Sequence, residues 1–206
     1  MSLKAGNTNK NENYLTEGSQ QEWGSMRFCP PNQWNIKPNR EWFGLVHLIN
    51  MLDLVDGHMI EIGTYAGEST AMFASSNKFK KIHTIDPYDF PQGYQVLMEA
   101  KINTRYWYNI HFYRTWSHKI HNHFKDECFD LVYIDGDHSR DAVLQDLELY
   151  YPKVKEGRYI AGHDYNDKEW PETYDTINYF FKKKGYSFDD IWKFEDSSWC
   201  VRKNSS

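Results

Sequence analysis

The chain has 206 residues, enough for one core of ordinary size and short for two, and carries a net charge of -5 with its Lys and Arg scattered. That balance excludes the basic field a phosphate backbone attracts, and no apolar run approaches the roughly 20 residues a bilayer requires. Nucleic acid and membrane are therefore not expected partners, and the reading is of a soluble, cytoplasmic protein. Aromatic residues make up 17%, with 8 Trp and 15 Tyr. This exceeds what such a core needs and leaves rings for a pocket or a subunit interface, so a homo-oligomer stays open. Cys29, Cys128 and Cys200 are too few and too widely spaced for a disulfide framework or a paired zinc site, which fits a reducing compartment.

Residues 1–22 are rich in Asn, Glu, Gln, Ser and Gly and hold too little apolar surface to offset the entropy of ordering. They read as a disordered polar tail, with 23–206 as one domain and Trp23 to Pro38 as its irregular lead-in. From Asn39, an N-cap candidate, "REWFGLVHLINMLDLV" places Trp42, Leu45, Val46, Ile49, Leu52 and Val55 at helical spacing. Asp56-Gly57 hands over to the strand "HMIEIG". The helix "ESTAMFASSNKF" and the strand "KIHTID" follow. A loop from Pro87 to Gly93 leads to a helix over Tyr94 to Tyr108. Next come the strand "IHFYRT", the short helix "HKIHNHF", the strand "FDLVYID", the helix "RDAVLQDLELYYPKV" and the strand "GRYIAGHD". "ETYDTINYFFKKKG" is the last helix, and "IWKFE" with "SWCVRK" forms a closing antiparallel hairpin through Asp196-Ser197. Strands alternate with helices and several are apolar on both faces, which defines a three-layer, doubly wound α/β domain of the Rossmann-like kind.

In such a sheet the ligand sits beyond the carboxyl ends of the strands. Those ends carry Glu61 to Gly67, then Asp86-Pro87-Tyr88, Thr115-Trp116-Ser117, Asp135-Gly136-Asp137-His138 and His163-Asp164-Tyr165. Gly63 and Gly67 suit a tight turn where a ligand approaches the backbone and a helix N-terminus. A dinucleotide fingerprint would need further glycines where Tyr65 and Glu68 stand, and Glu68 would repel a pyrophosphate. An NAD-linked reductase on this fold is disfavoured for that reason. Asp86 lies roughly 20 residues past the turn, where an acid accepts ribose hydroxyls. The pattern asks for a nucleoside without phosphates. S-adenosylmethionine is one: its ribose suits Asp86, its adenine can lie against Trp116 with Ser117 near the ring edge, and its amino-acid end suits the turn of Gly63, Thr64, Tyr65 and Gly67.

"MIEIGTYAGEST" followed by "HTIDPY" resembles the first two motifs of class I S-adenosylmethionine-dependent methyltransferases. "FDLVYIDGDHSRDAVLQDLELYYPKVKEGRYIAGHDY" closely resembles methyltransferase family 24, related to the catechol and macrolide-sugar O-methyltransferases. The likeness extends in layout over residues 40–203. It implies a seven-stranded sheet with an antiparallel last strand, with Glu61, Gly63 and Gly67 on the methionine moiety and Asp86 on the ribose. It further implies methyl transfer to a hydroxyl of a small polar acceptor, a sugar-bearing metabolite among the candidates. In the catechol-type relatives a metal is held at two adjacent strand tips, and the matching positions are Asp135, His163 and Asp164. In the sugar-modifying relatives a histidine at the place of His138 deprotonates the acceptor.

Three carboxylates and two imidazoles at neighbouring tips would be costly if left unpaired, and a divalent cation would relieve them. Oxygen ligands alone favour magnesium; an imidazole shifts preference to manganese, iron or zinc. Two alternatives stay open: His163 behind the ligands, or a site without metal. His138 suits a general base near neutral pH, with Asp135 or Asp137 stabilising its imidazolium. Asp137 is open between that role and turn formation, and Ser139 is a cap candidate for the following helix. His118, His121 and His123 fall on a polar helix face. Tyr88, Tyr94, Trp107, Tyr165 and Trp170 divide between an acceptor pocket and packing. The alternative to an enzyme is a non-catalytic module that keeps the cofactor pocket and binds a partner through its aromatic surface.

Overall fold

A computed structural model describes residues 42–204. The polar stretch 1–22, the lead-in to Pro38, Cys29 and the cap expected at Asn39 lie outside the described residues. Helix α1 spans Phe43–Met51, β1 Gly57–Ile62, α2 Glu68–Ser75, β2 Phe79–Ile85, α3 Gly93–Asn103 and β3 Ile110–Tyr113. A short α4, Ser117–Ile120, runs into a 3₁₀ turn at His121–His123. Then come β4 Phe129–Ile134, α5 Arg140–Tyr150, β5 Val154–Gly162, α6 Pro171–Lys183, β6 Trp192–Lys193 and β7 Trp199–Arg202. Among the described residues no helix is long and apolar enough to cross a membrane.

The sheet has seven strands in the order β3-β2-β1-β4-β5-β7-β6. All neighbours from β3 to β5 are parallel, while β7 runs antiparallel to both β5 and β6. Strand order reverses between β1 and β4, so the ligand-binding crevice falls at those two tips. Alternation along the central strands explains the three layers. Met59, Leu131 and Tyr133 face one way, into a cluster with Leu45, Leu48 and Phe73 of α1 and α2. Ile60, Val132 and Ile134 face the other way, against Leu147 of α5 and Phe180 and Phe181 of α6. Each large apolar side chain so buried contributes about 1.5–3 kcal/mol. The close of the sheet follows from its turn: Phe194 N–H bonds the Ser198 carbonyl at 2.9 Å, and Ser197 sits at φ 71°.

The chain departs from its sequence pattern at two helix ends. Helix α1 stops at Met51, because Leu52 turns extended at φ -62°, ψ 117°, and Val55, expected in the apolar stripe, is 87% exposed. The helix expected to reach Tyr108 ends at Asn103, whose side-chain amide donates to the Ala66 carbonyl at 3.0 Å. That bond ties α3 to the turn after β1. Gly67 permits the contact, since a Cβ there would stand 3.1 Å from the Ala100 Cα.

Candidate active site

The tips of β1 and β4 meet backbone to backbone. Gly63 N–H bonds the Ile85 carbonyl and Asp135 N–H bonds the Ile62 carbonyl, both at 2.8 Å. Gly63 has φ +93°, and a Cβ on it would fall 1.9 Å from the Asp135 carbonyl oxygen, so no other residue fits without moving a strand tip. Asp86 organises the turn that follows. Its carboxylate accepts N–H groups from Thr64 at 3.2 Å, Tyr65 at 2.9 Å and Tyr88 at 2.8 Å. Oδ2 takes the first two and Oδ1 only the third, so Oδ1 keeps acceptor capacity, and the residue lines the cavity. The Tyr88 hydroxyl donates to the Tyr65 carbonyl at 2.9 Å, a brace the sequence reading assigned only loosely to an acceptor pocket.

Glu61, expected on the methionine moiety, sits below the glycine turn. It is fully buried beneath the turn and does not reach the cavity. Ser69 donates to one carboxylate oxygen at 2.6 Å, while Thr70 and Thr84, the latter at 2.7 Å, donate to the other. Burial pushes its carboxyl up to about 7 against these donors. Glu61 therefore fixes the β1 turn to α2 and β2.

At the other side of the switch point, Asp164 is 6% exposed and takes φ 61°. That backbone turn aims its carboxylate between two imidazoles: Oδ2 pairs with His138 Nδ1, and Oδ1 lies 3.0 Å from His163 Nδ1. The charges settle one another. Burial works against ionisation of Asp164, but the two imidazole hydrogen bonds hold its carboxyl well below the usual range. Burial likewise opposes a charged His163, yet Asp164 and Asp135 raise it to about 9. The hydrogen bond to Asp164 raises His138, and burial raises Asp135. The Trp170 ring lies 4.8 Å from the His138 ring, and the Thr173 hydroxyl donates to the His138 carbonyl at 2.9 Å, so both the ring and the backbone of this residue are held.

Among the described residues, Asp135, His138 and Asp164 can bring ligand atoms within 4.8 Å of one another, so His138 joins two of the three expected ligands, while His163 sits beside Asp164 Oδ1. Asp137 is exposed, and its Oδ1 accepts the Ser139 N–H at 2.8 Å, which makes it the turn former. Ser139 occupies the N-cap position of α5 but makes no side-chain cap bond. His118, His121 and His123 lie on a surface without a buried residue.

A cavity of about 990 Å³ connects these parts. It runs from Gly63, Thr64, Tyr65 and Asp86 past Trp116 and Ser117 to Asp135, His138, His163 and Asp164. Of the five aromatics proposed for an acceptor pocket, Tyr165 packs in the core, Trp107 packs against it, and Trp170 alone touches His138. The rings on the cavity wall are Trp42, Tyr65, Phe90 and Trp116. One wall residue the sequence reading missed is Asp146, 5% exposed, which accepts the Ser117 hydroxyl at 2.6 Å. Its signal was available: an acid between Val143, Leu147 and Tyr150, inside the apolar stripe of α5.

A doubly wound sheet with an antiparallel seventh strand, a glycine turn at its switch point and an acid on the next strand is the fold of the class I S-adenosylmethionine-dependent methyltransferases. The profile of methyltransferase family 24, a "Methyltransferase domain", matches residues 60–165, and the chain belongs to that family. It is 30% identical over 146 residues to an uncharacterized protein of Acanthamoeba polyphaga mimivirus, a match covering 65% of this chain and 63% of that protein's length. Among solved structures, a SAM dependent methyltransferase from Aquifex aeolicus aligns with TM-score 0.56 and 17% identity, over 75% of this chain and 85% of that one. A Corynebacterium glutamicum protein aligns with TM-score 0.59 and 13% identity, over 96% and 97%. Both likenesses concern the fold.

Proposed function

We propose that the protein transfers the methyl group of S-adenosylmethionine to a hydroxyl of a small polar acceptor, with His138 as general base. The observation that carries this reading is the continuity of one cavity from the glycine turn and Asp86 to the His138–Asp164 pair. Its volume suits a nucleoside cofactor and a modest acceptor together. Asp86 keeps acceptor capacity for ribose hydroxyls, and Trp116 offers a face to the base.

The chemistry asked of the protein is small. As the acceptor oxygen forms its bond to the methyl carbon, the carbon–sulfur bond breaks, and the electron pair neutralises the sulfonium. The acceptor proton must leave. A proton on His138 Nδ1, shared with Asp164, leaves Nε2 as the basic nitrogen, and the buried carboxylate then stabilises the imidazolium. Alignment supplies the rest of the acceleration. A sugar-bearing acceptor follows from the resemblance to the macrolide-sugar enzymes.

A second reading adds a divalent cation, favoured by the grouping of Asp135, His138 and Asp164 within 4.8 Å. Their two carboxylates and one imidazole fit manganese, iron or zinc better than magnesium. Such an ion would lower the pKa of an acceptor hydroxyl. It would also compete for His138, which cannot serve as ligand and base through the same nitrogen pair with Asp164.

Isothermal titration with S-adenosylhomocysteine tests the proposal at its root. Saturable binding at one site is expected, and no binding would overturn it. Binding without methyl transfer to any hydroxyl acceptor in a panel of sugars and phenols would instead leave a cofactor-binding module.

A further inference from the structure

Asp146 is a buried acid with half of its hydrogen bonding accounted for. Oδ1 accepts the Ser117 hydroxyl at 2.6 Å. The Ser117 backbone is held in turn, because the Tyr150 hydroxyl donates to its carbonyl at 2.9 Å. Oδ2 points elsewhere: it lies 3.9 Å from where a Cβ on Gly136 would stand, beside the β4 tip, and among the described residues the Asp146 carboxylate is bonded through Oδ1 alone. With the residue 5% exposed and on the cavity wall, that small exposure faces the cavity. An acid so placed is disfavoured by burial and by the nearby Asp137 charge, and its carboxyl is pushed up to about 6. Oδ2 therefore keeps acceptor capacity on the cavity side, open to a donor from a ligand.

The place of this oxygen says which donor. Trp116 and Ser117, at the tip of β3, flank it, and the ribose acid Asp86 ends β2 next door. A base laid on Trp116 would have Asp146 within reach of its edge, because Asp146 holds Ser117 beside that ring. Resting on the cofactor reading above, we propose that Asp146 recognises the exocyclic amine of adenine and thereby selects an adenosyl cofactor over a 6-oxopurine one. An amine brings the donor that Oδ2 lacks. A 6-oxo group would set a second acceptor against a carboxylate, with no proton on Oδ2 in the ionised state to bridge them.

Binding of S-adenosylhomocysteine and S-inosylhomocysteine to the full chain and to Asp146→Asn, by calorimetry, tests the assignment. The unaltered protein should bind the adenosyl ligand at least about a hundredfold more tightly, as expected of a site built to pair one polar group and offered the opposite one. Asp146→Asn is nearly isosteric, and its amide can donate to a 6-oxo group, so the preference should fall below about tenfold. A preference near unity in the unaltered protein overturns the inference without reference to any variant. A ratio unchanged in Asp146→Asn, with its melting temperature unchanged, overturns it as well. Failure to bind either ligand removes the cofactor reading and this inference with it, whereas adenosyl binding without discrimination leaves the cofactor reading standing.

Discussion

Gly63→Ala perturbs the cofactor turn at its tightest point. The added methyl would fall 1.9 Å from the Asp135 carbonyl oxygen and 2.5 Å from its carbon. Ordinary contact needs more than an ångström beyond this, so either the turn or the β4 tip must move. Movement strains two bonds, Gly63 N–H to Ile85 and Asp135 N–H to Ile62, each 2.8 Å. Holding a non-glycine residue at φ +93° adds about 1–3 kcal/mol of backbone strain. With the displaced strand tip, a total near 4 kcal/mol is expected, which for a domain of this size lowers the melting temperature by about 8–16 °C. Because Asp86 also holds Thr64 and Tyr65, the same shift should weaken S-adenosylhomocysteine at least about a hundredfold, as expected when a binding turn moves by an ångström. Thermal unfolding followed by calorimetric titration of the folded variant measures both. A variant that melts within 2 °C of the parent, roughly the shift of half to one kcal/mol, and binds normally would refute the placement of this turn against β4.

His138→Ala should leave S-adenosylhomocysteine affinity within about threefold while lowering methyl transfer by about 10²–10⁴, the usual contribution of a general base; equal turnover would remove its role. The same substitution frees one Asp164 oxygen but leaves His163 on the other, and with the His138 side chain 38% exposed the stability loss should be about 1 kcal/mol, read by urea unfolding. Glu61→Gln should flatten the pH dependence of stability. The folded carboxyl titrates near 7 against an ordinary 4.5. Its proton-bound form is thus favoured by folding, a contribution complete below about 4.5 and lost as pH rises through 7, worth about 3 kcal/mol. Unfolding curves from pH 4 to 8 that lose stability equally in parent and variant would contradict it. Turnover in excess EDTA, with elemental analysis of the purified protein, separates the two readings of the acid cluster: retained activity and no bound metal are expected if the imidazoles alone balance Asp164, and stoichiometric metal with lost activity would favour the cation.

The order of elements and the contents of the strand ends were legible because they rest on local patterns. Two-sided apolar strands, glycine after the first strand and an acid after the second each follow from period and spacing. The helix ends at Met51 and Asn103 were not legible: a tertiary bond from Asn103 to Ala66 and an extended Leu52 override the apolar stripe. Nor was the choice between His138 and His163. Both stand beside Asp164 in any plausible pairing, and which ligand atoms converge depends on the positive φ of Asp164, a backbone choice that Asp permits and does not announce.

Glu61 and Asp146 bring the same question to a sharper form. Both are acids embedded in apolar patterns, one inside a buried strand and one inside the apolar stripe of a helix, and the pattern alone marks each as anomalous. Their fates differ through the count of donors around them. Glu61 meets three hydroxyls and is satisfied within the protein, so it serves the turn. Asp146 meets one, from Ser117, and retains an oxygen on the cavity side. A buried acid whose donors are all internal supports a fold, and one left a donor short asks for a ligand. By that criterion Asp146 is the carboxylate we propose the cofactor answers, and Glu61 the one that shapes the turn beneath it.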